Sequence, residues 1–366
     1  MNTIPRLIPA LLISLLGVLA CSDSTQPLAP PRPHADMASA ANPSYTITDL
    51  GTLGGGFAEA FAINDVGQVV GLSQTATGER HAFLWTATGG MTDLGTLGGT
   101  FSRAFAINHL GHVAGVSELP SGERRPFFWT PSAGIQDLGT FGGGFGRARG
   151  INDLDQVVGV STAPDGSSHA FLWTATQGMT DLVPVVGNNS EAVGINNRQE
   201  VAGGGPFGTD ANPCAFTIAF LWSAKEGFRN LGSLGFKDPC GGAVALAVNE
   251  NDQVVGESVN DATPEALHAF RWTATTGIVD IGALFGVSSF SVGFAVNERG
   301  QAVGGSFTPD GAIEHAFVWD ERSGMQDLGT FPGDAQTEAH GINSRGQIAG
   351  ISIGDHERAV LWTPSH

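Results

Sequence analysis

Charge is scarce in this 366-residue chain: Asp, Glu, Lys and Arg make up only 14% of it, and they sum to −18. Nucleic acid needs a basic surface, so this balance argues against such a partner. Cysteine is scarcer, at three residues, which rules out a disulfide-dense scaffold. Beyond the first twenty residues no apolar run is long enough to cross a bilayer as a helix. Familiar catalytic signatures are missing too: there is no Gly-x-Ser-x-Gly elbow, no His-Glu-x-x-His helix and no phosphate-cradling Gly loop. Glycine, by contrast, is abundant at 53 residues, as tight turns between short strands require.

The glycines belong to a repeat. Seven copies of one pattern run through the chain, each ending in one of its seven tryptophans. The first copy reads Ala60–Gly71, then His81-Ala82-Phe83-Leu84-Trp85, then Met91-Thr92-Asp93-Leu94-Gly95. Its asparagine recurs at Asn64, Asn108, Asn152, Asn196, Asn249, Asn297 and Asn343, with spacings of 44, 44, 44, 53, 48 and 46. Such periods mark blades, solenoids or arrays. Within a copy, four apolar runs bounded by turn residues read as strands: Ala60–Asn64, Gln68–Ser73, Ala82–Thr86 and Met91–Leu94. Asn64–Gly67 is a turn in which Asn caps its own backbone and Gly takes positive φ. Gln199 stands at that glycine position in the fourth copy, which predicts a looser turn there. The in-strand glycine Gly71, with its counterparts Gly115, Gly159, Gly203, Gly256, Gly304 and Gly350, predicts close approach of another group, expected to be a Trp.

Closure separates ring from solenoid. The seventh copy stops after Val360-Leu361-Trp362, and its missing last strand stands ahead of copy one as Thr46-Ile47-Thr48-Asp49-Leu50-Gly51. An N-terminal strand that completes the C-terminal sheet closes a propeller and protects its edges. The expectation is therefore an all-β, seven-bladed β-propeller over 44–366, with four-stranded blades and segment 45–51 completing the last.

Ahead of it, residues 1–20 read as a signal peptide, with Arg6 followed by the apolar run Leu7–Ala20. Val18-Leu19-Ala20-Cys21 resembles a bacterial lipobox, which implies cleavage before Cys21 and a lipid on its sulfur. Ser22 after the cysteine then favours the outer membrane; the alternative is an ordinary secretory signal cleaved near Cys21 and a secreted protein. Segment 21–43, rich in Pro, Ala and Ser, reads as a tether able to span roughly 60 Å if extended. Membrane contact is expected through this anchor alone. The other two cysteines, Cys214 and Cys240, fall in insertions of the fourth copy and read as a structural disulfide in an exported chain.

The His-Ala-Phe triplet at His81, the stretch Asp93-Leu94-Gly95-Thr96-Leu97-Gly98-Gly99 and Ala106-Ile107-Asn108 resemble the HAF-repeat family of extracellular bacterial proteins. The likeness covers about Tyr45–Thr363, and it implies export and repetition without naming an activity. Copies two, four and seven depart from the triplet, with Arg125-Pro126-Phe127, Ile218-Ala219-Phe220 and Arg358-Ala359-Val360. A histidine absent from three copies cannot form a catalytic ring, and it reads as a stacked or turn-linked side chain.

Ligand recognition should lie where copies differ. At the start of each first strand one column reads Glu59, Arg103, Arg147, Glu191, Val244, Val292, Glu338, and two residues on another reads Phe61, Phe105, Arg149, Val193, Leu246, Phe294, His340. First strands line a propeller's channel, so Glu59, Arg103, Arg147, Arg149, Glu191, Glu338 and His340 are the candidate ligand-binding residues at one mouth. No catalytic residue, metal or cofactor is assigned. The reading is a monomeric, non-catalytic binding module for a glycan, peptide or envelope protein. The alternative is a glycan-active hydrolase or lyase using a mouth pair such as Glu59 and Glu338.

Overall fold

The computed structural model describes residues 44–182, 189–206, 217–235, 242–260 and 263–365. The expected signal peptide, the tether, Cys21, Cys214 and Cys240 lie outside them. Seven four-stranded antiparallel sheets form a ring, the seven-bladed propeller expected from the repeat. Blade one consists of Gly54–Ile63, Val69–Thr75, Arg80–Thr86 and Gly90–Asp93. The other blades begin at Ser102, Gly146, Glu191, Ala243, Phe290 and Gln336. Tyr45–Asp49 pairs with Glu357–Pro364 in the register Tyr45↔Pro364 to Asp49↔Val360, and so completes blade seven. It ends where Asp49 Oδ1 accepts the Gly51 N–H at 2.8 Å. Antiparallel order places the links from second to third and from fourth to next first strand on one face, here the leading face, where first strands begin. The asparagine turns lie on the opposite face.

The core sits between blades. Phe127 of blade two packs with Val70, Ala82 and Leu94 of blade one, and Phe171 of blade three with Ala114, Phe128 and Leu138 of blade two. The closing interface joins Phe83 and Val69 to Ala349, Ala359 and Leu361 of blade seven. No blade can bury its aromatic ring alone, so stability accrues per interface, as in other repeat folds.

The strand glycines make this packing possible, though the ring against them is not the predicted one. A Cβ on Gly71 would collide with the Glu59 carbonyl oxygen and lie 2.8 Å from the Phe83 ring. The same Phe of the triplet covers the glycine in blades one to six; only Gly350 meets a tryptophan, Trp362. Val360 replaces the Phe in blade seven, and Trp362, fully buried, fills the vacated space.

A belt of asparagines locks the ring. Each Asn Nδ2 donates to the backbone carbonyl of the next blade's Asn at 2.8–3.1 Å, and Asn343 returns the chain of bonds to Asn64. Each Oδ1 accepts the N–H four residues on, at 2.9–3.0 Å. The turn at Gln199 is no looser than the rest: its N–H donates to Asn196 O at 3.0 Å with φ at 64°. The belt fixes that turn from the neighbouring blades, which outweighs the cost of a left-handed Gln.

Asn152→Ala would leave the Gln156 N–H without its acceptor and would strip the interblade donor from the Asn196 carbonyl, which keeps only the Gln199 N–H. The expected loss is on the order of 3 kcal/mol in urea unfolding with unchanged slope. A loss below about 0.5 kcal/mol would mean the belt is incidental.

Candidate functional site

One-residue register shifts break every first strand, between Ala60 and Ala62 in blade one and between Ala148 and Gly150 in blade three. The extra residue is the member of the second variable column. A bulge re-aims its side chain, here toward the axis. The seven bulge residues pack into a girdle across the channel. His340 meets Phe61 and Phe294 with ring centroids 5.1 and 5.0 Å apart, Phe61 meets Phe105 at 5.7 Å, and the Arg149 guanidinium lies 4.9 Å from the Phe105 centroid. Val193, Leu246 and Phe294 close the other side with Val244 and Val292.

Above the girdle the candidate charges come together in pairs, the arginines pairing across blades. Arg103 Nη2 reaches Glu59 Oε2 at 3.2 Å. Arg147 holds Glu191 through two bonds of 2.9 and 2.7 Å, and Arg149 lies 3.4 Å from the same carboxylate. His340 and Glu338 are 3.3 Å apart. Burial pushes the Glu59 carboxyl above its usual range, opposed by Arg103 and aided by Glu357. Burial likewise holds the Arg103 and Arg149 guanidiniums below theirs. The arginine pairs join neighbouring blades and so cross-link them, whereas Glu338 and His340 share one strand of blade seven.

Two further carboxyls stand on this side. Glu257 of blade five is pushed up to about 7 by burial. Glu314 of blade six is 5% exposed, its Oε1 has no hydrogen-bond partner among the described residues, and it fills the space that Gly305 leaves open. Burial, reinforced by the charge of Glu338, pushes it far above the carboxylate range.

The triplet histidines are structural. His81, His169, His268 and His315 each bond an aspartate of the fourth strand, Asp93, Asp181, Asp280 and Asp327, at 2.7–2.9 Å. The constant separation of twelve residues was the available signal. A set of buried serines was missed although it repeats, two residues after the in-strand glycine in six of the seven copies: Ser73 and Ser117 accept the N–H of Leu53 and Leu97 in the interblade links, at 2.9 and 2.8 Å.

At the opposite mouth a cavity of about 230 Å³ is bounded by the belt asparagines, by Ile63, Ile107 and Ile151, and by the residues after each Asn. Five of those seven are committed to backbone: Asp153 accepts the His109 N–H and Asp65 the Ser344 N–H, at 2.8 and 2.7 Å, and Asn197, Glu250 and Glu298 do the same for their neighbours. Among the described residues no group of three His, Cys, Asp or Glu is placed to hold a metal ion.

No family model matches the chain, and no curated protein does. Solved structures share its fold. Virginiamycin B lyase from Staphylococcus aureus aligns at 12% identity and TM-score 0.53, over 88% of this chain and 100% of that one. The β-propeller domain of the Trilobed protease from Pyrococcus furiosus gives 11% and 0.57, over 84% and 95%. Pyrococcus horikoshii acylaminoacyl peptidase gives 10% and 0.54, over 85% and 53%. At these identities the likeness is one of architecture.

Glu314 supplies the pH prediction. It is neutral when folded and ionises in the unfolded chain above about 4.5, so unfolding releases a proton and stability falls as pH rises. Glu314→Gln keeps the shape without the proton. It is expected to raise the calorimetric midpoint near pH 8 and to change little near pH 4; an equal shift at both would refute the assignment.

Proposed function

We propose that this chain is an exported β-propeller, lipid-anchored to the cell envelope through Cys21, that acts as a non-catalytic binding module through its leading face. The observation that carries this reading is the pairing at the mouth. Glu59 with Arg103, and Glu191 with Arg147 and Arg149, pair across blade interfaces, and Glu338 pairs with His340 within blade seven, which makes a stiff platform and leaves none of them as an isolated nucleophile. Recognition then falls to the outer part of that face, where substitutions do not unlock the ring. The carrier is expected to be a monomer, since the blades already cover one another's edges.

A second reading, a glycan-active hydrolase or lyase, draws on one feature. The neutral Glu314 beside Glu338 is an acid next to a base, the kind of split that acid–base chemistry uses. Both are nearly buried, at 5% and 7% exposure, which favours a structural role for the pair.

Two measurements test the proposal. The full chain incubated with glycan and peptide libraries is expected to show saturable binding with no released fragments. Turnover abolished by Glu338→Gln would establish the enzymatic reading instead. In cell fractionation, Cys21→Ala is expected to move the protein out of the membrane fraction, and unchanged membrane association would sink the anchor.

A further inference from the structure

On the leading face the charge at one column changes sign around the ring. At the position just before the triplet, which opens the third strand in six of the blades, the seven blades carry Arg80, Arg124, Ser168, Thr217, Leu267, Glu314 and Glu357 in turn. Both arginines therefore fall in blades one and two, and both glutamates in blades six and seven. One residue column over, at the start of the first strands, Phe57, Phe101 and Phe145 stand in blades one to three. Arg80 lies over the Phe57 ring at 5.2 Å, and its backbone bridges to Phe101 of the next blade. Arg124 lies over Phe101 at 4.6 Å and bridges to Phe145, over which Arg147 lies at 6.0 Å. The result is a ladder of alternating Phe and Arg along the leading face.

Neither exposed arginine has a carboxylate partner. Arg80 and Arg124 make no ion pair among the described residues, while the nearby acids are engaged elsewhere: Glu79 with His81 and Glu123 with Arg125. Glu118 faces the Thr100 hydroxyl. The like charges also crowd. Arg80 and Arg124 both repel the Arg103 guanidinium, which pairs with Glu59 and also feels the Glu357 charge. Like charges held this close are unfavourable without a counter-anion.

The backbone under the ladder is built to hold still. Three Gly-Gly loops precede the phenylalanines, with φ of 102°, 107° and 103° at Gly54, Gly98 and Gly142. A Cβ on the following Gly99 would sit 2.8 Å from the Glu118 carbonyl oxygen. The guanidiniums rest over the phenylalanine rings, so less rotamer freedom remains to be lost when an anion binds.

We propose that the Phe57–Arg80–Phe101–Arg124–Phe145 ladder is a binding strip for an acidic polysaccharide, its carboxylates taken by the Arg80 and Arg124 guanidiniums one blade apart and its sugar rings lying along the Phe edges. This rests on the binding-module reading and names its ligand class. Stacked sheets lie about 10 Å apart, so the strip selects a chain whose carboxylates recur at roughly that interval. A nucleic acid is disfavoured because its denser charge would extend over a protein of net charge −18.

The test titrates the full chain with an oligogalacturonate, with its carboxyl-reduced neutral counterpart and with a single-stranded oligonucleotide, at low and moderate salt. The oligogalacturonate is expected to bind, more weakly in salt. Arg80→Gln with Arg124→Gln should weaken binding by about tenfold or more, and Lys at both positions should restore part of it. Both variants should keep the wild-type thermal midpoint, since these side chains are exposed. Undiminished binding by the Gln variant, or tighter binding of the oligonucleotide, overturns the strip. Equal binding of the neutral polymer overturns it too, yet leaves the binding-module reading standing. If none of the three binds and the wider libraries are also blank, both fail.

Discussion

Everything in this ring depends on one side-chain amide used seven times. An asparagine carboxamide both donates and accepts. Here the acceptor closes the blade's own turn and the donor ties that turn to the next blade. Alanine could do neither job, and aspartate could not donate. Because the last bond returns from Asn343 to Asn64, an error in any one turn is felt by both neighbours. This explains how Asp155, Gln199 and Asp252 keep the positive φ that glycine supplies elsewhere.

Closure has a second level made of charge. The Arg103–Glu59 and Arg147–Glu191 pairs join the inner strands of adjacent blades, as the belt does on the opposite face. Desolvated pairs of this kind are costly to break and bring little net stability once formed. Their more evident effect is on position: they set how far each blade can rotate about the channel. Val244 and Val292 occupy the same column in blades five and six and pack in an apolar cluster with Leu246 and Phe294, so one ring uses both means of fastening.

Much of the architecture was legible because it repeats. The asparagine spacing gave the blades, and the displaced segment Thr46–Gly51 gave the closure, since both are patterns of type and distance. What stayed hidden depends on which groups face each other. Period-two reasoning puts Glu59 and Phe61 on one strand face, yet the bulge separates them, and no residue type announces a bulge there. Arg147 and Glu191 look like two independent variable positions until the ring makes them neighbours. The Trp expected against Gly71 is Phe83, because the register Gly71↔Phe83 sets that pair opposite and pattern alone does not fix register. Only blade seven, with Val360 in place of the Phe, needs its tryptophan there.

The pairing of Tyr45–Asp49 with Glu357–Pro364 has a bearing on orientation. The Ser365 N–H donates to the Ser44 carbonyl at 2.7 Å, and Pro364 lies against Gly346 of the last asparagine turn. Both ends of the propeller therefore emerge on the asparagine side. Held by either end, whether by a surface, a tag or a neighbouring segment, the ring stands like a dish on its foot, with the Phe–Arg ladder on the side turned outward. The single seam in an otherwise cyclic molecule thus gives it a back and a front.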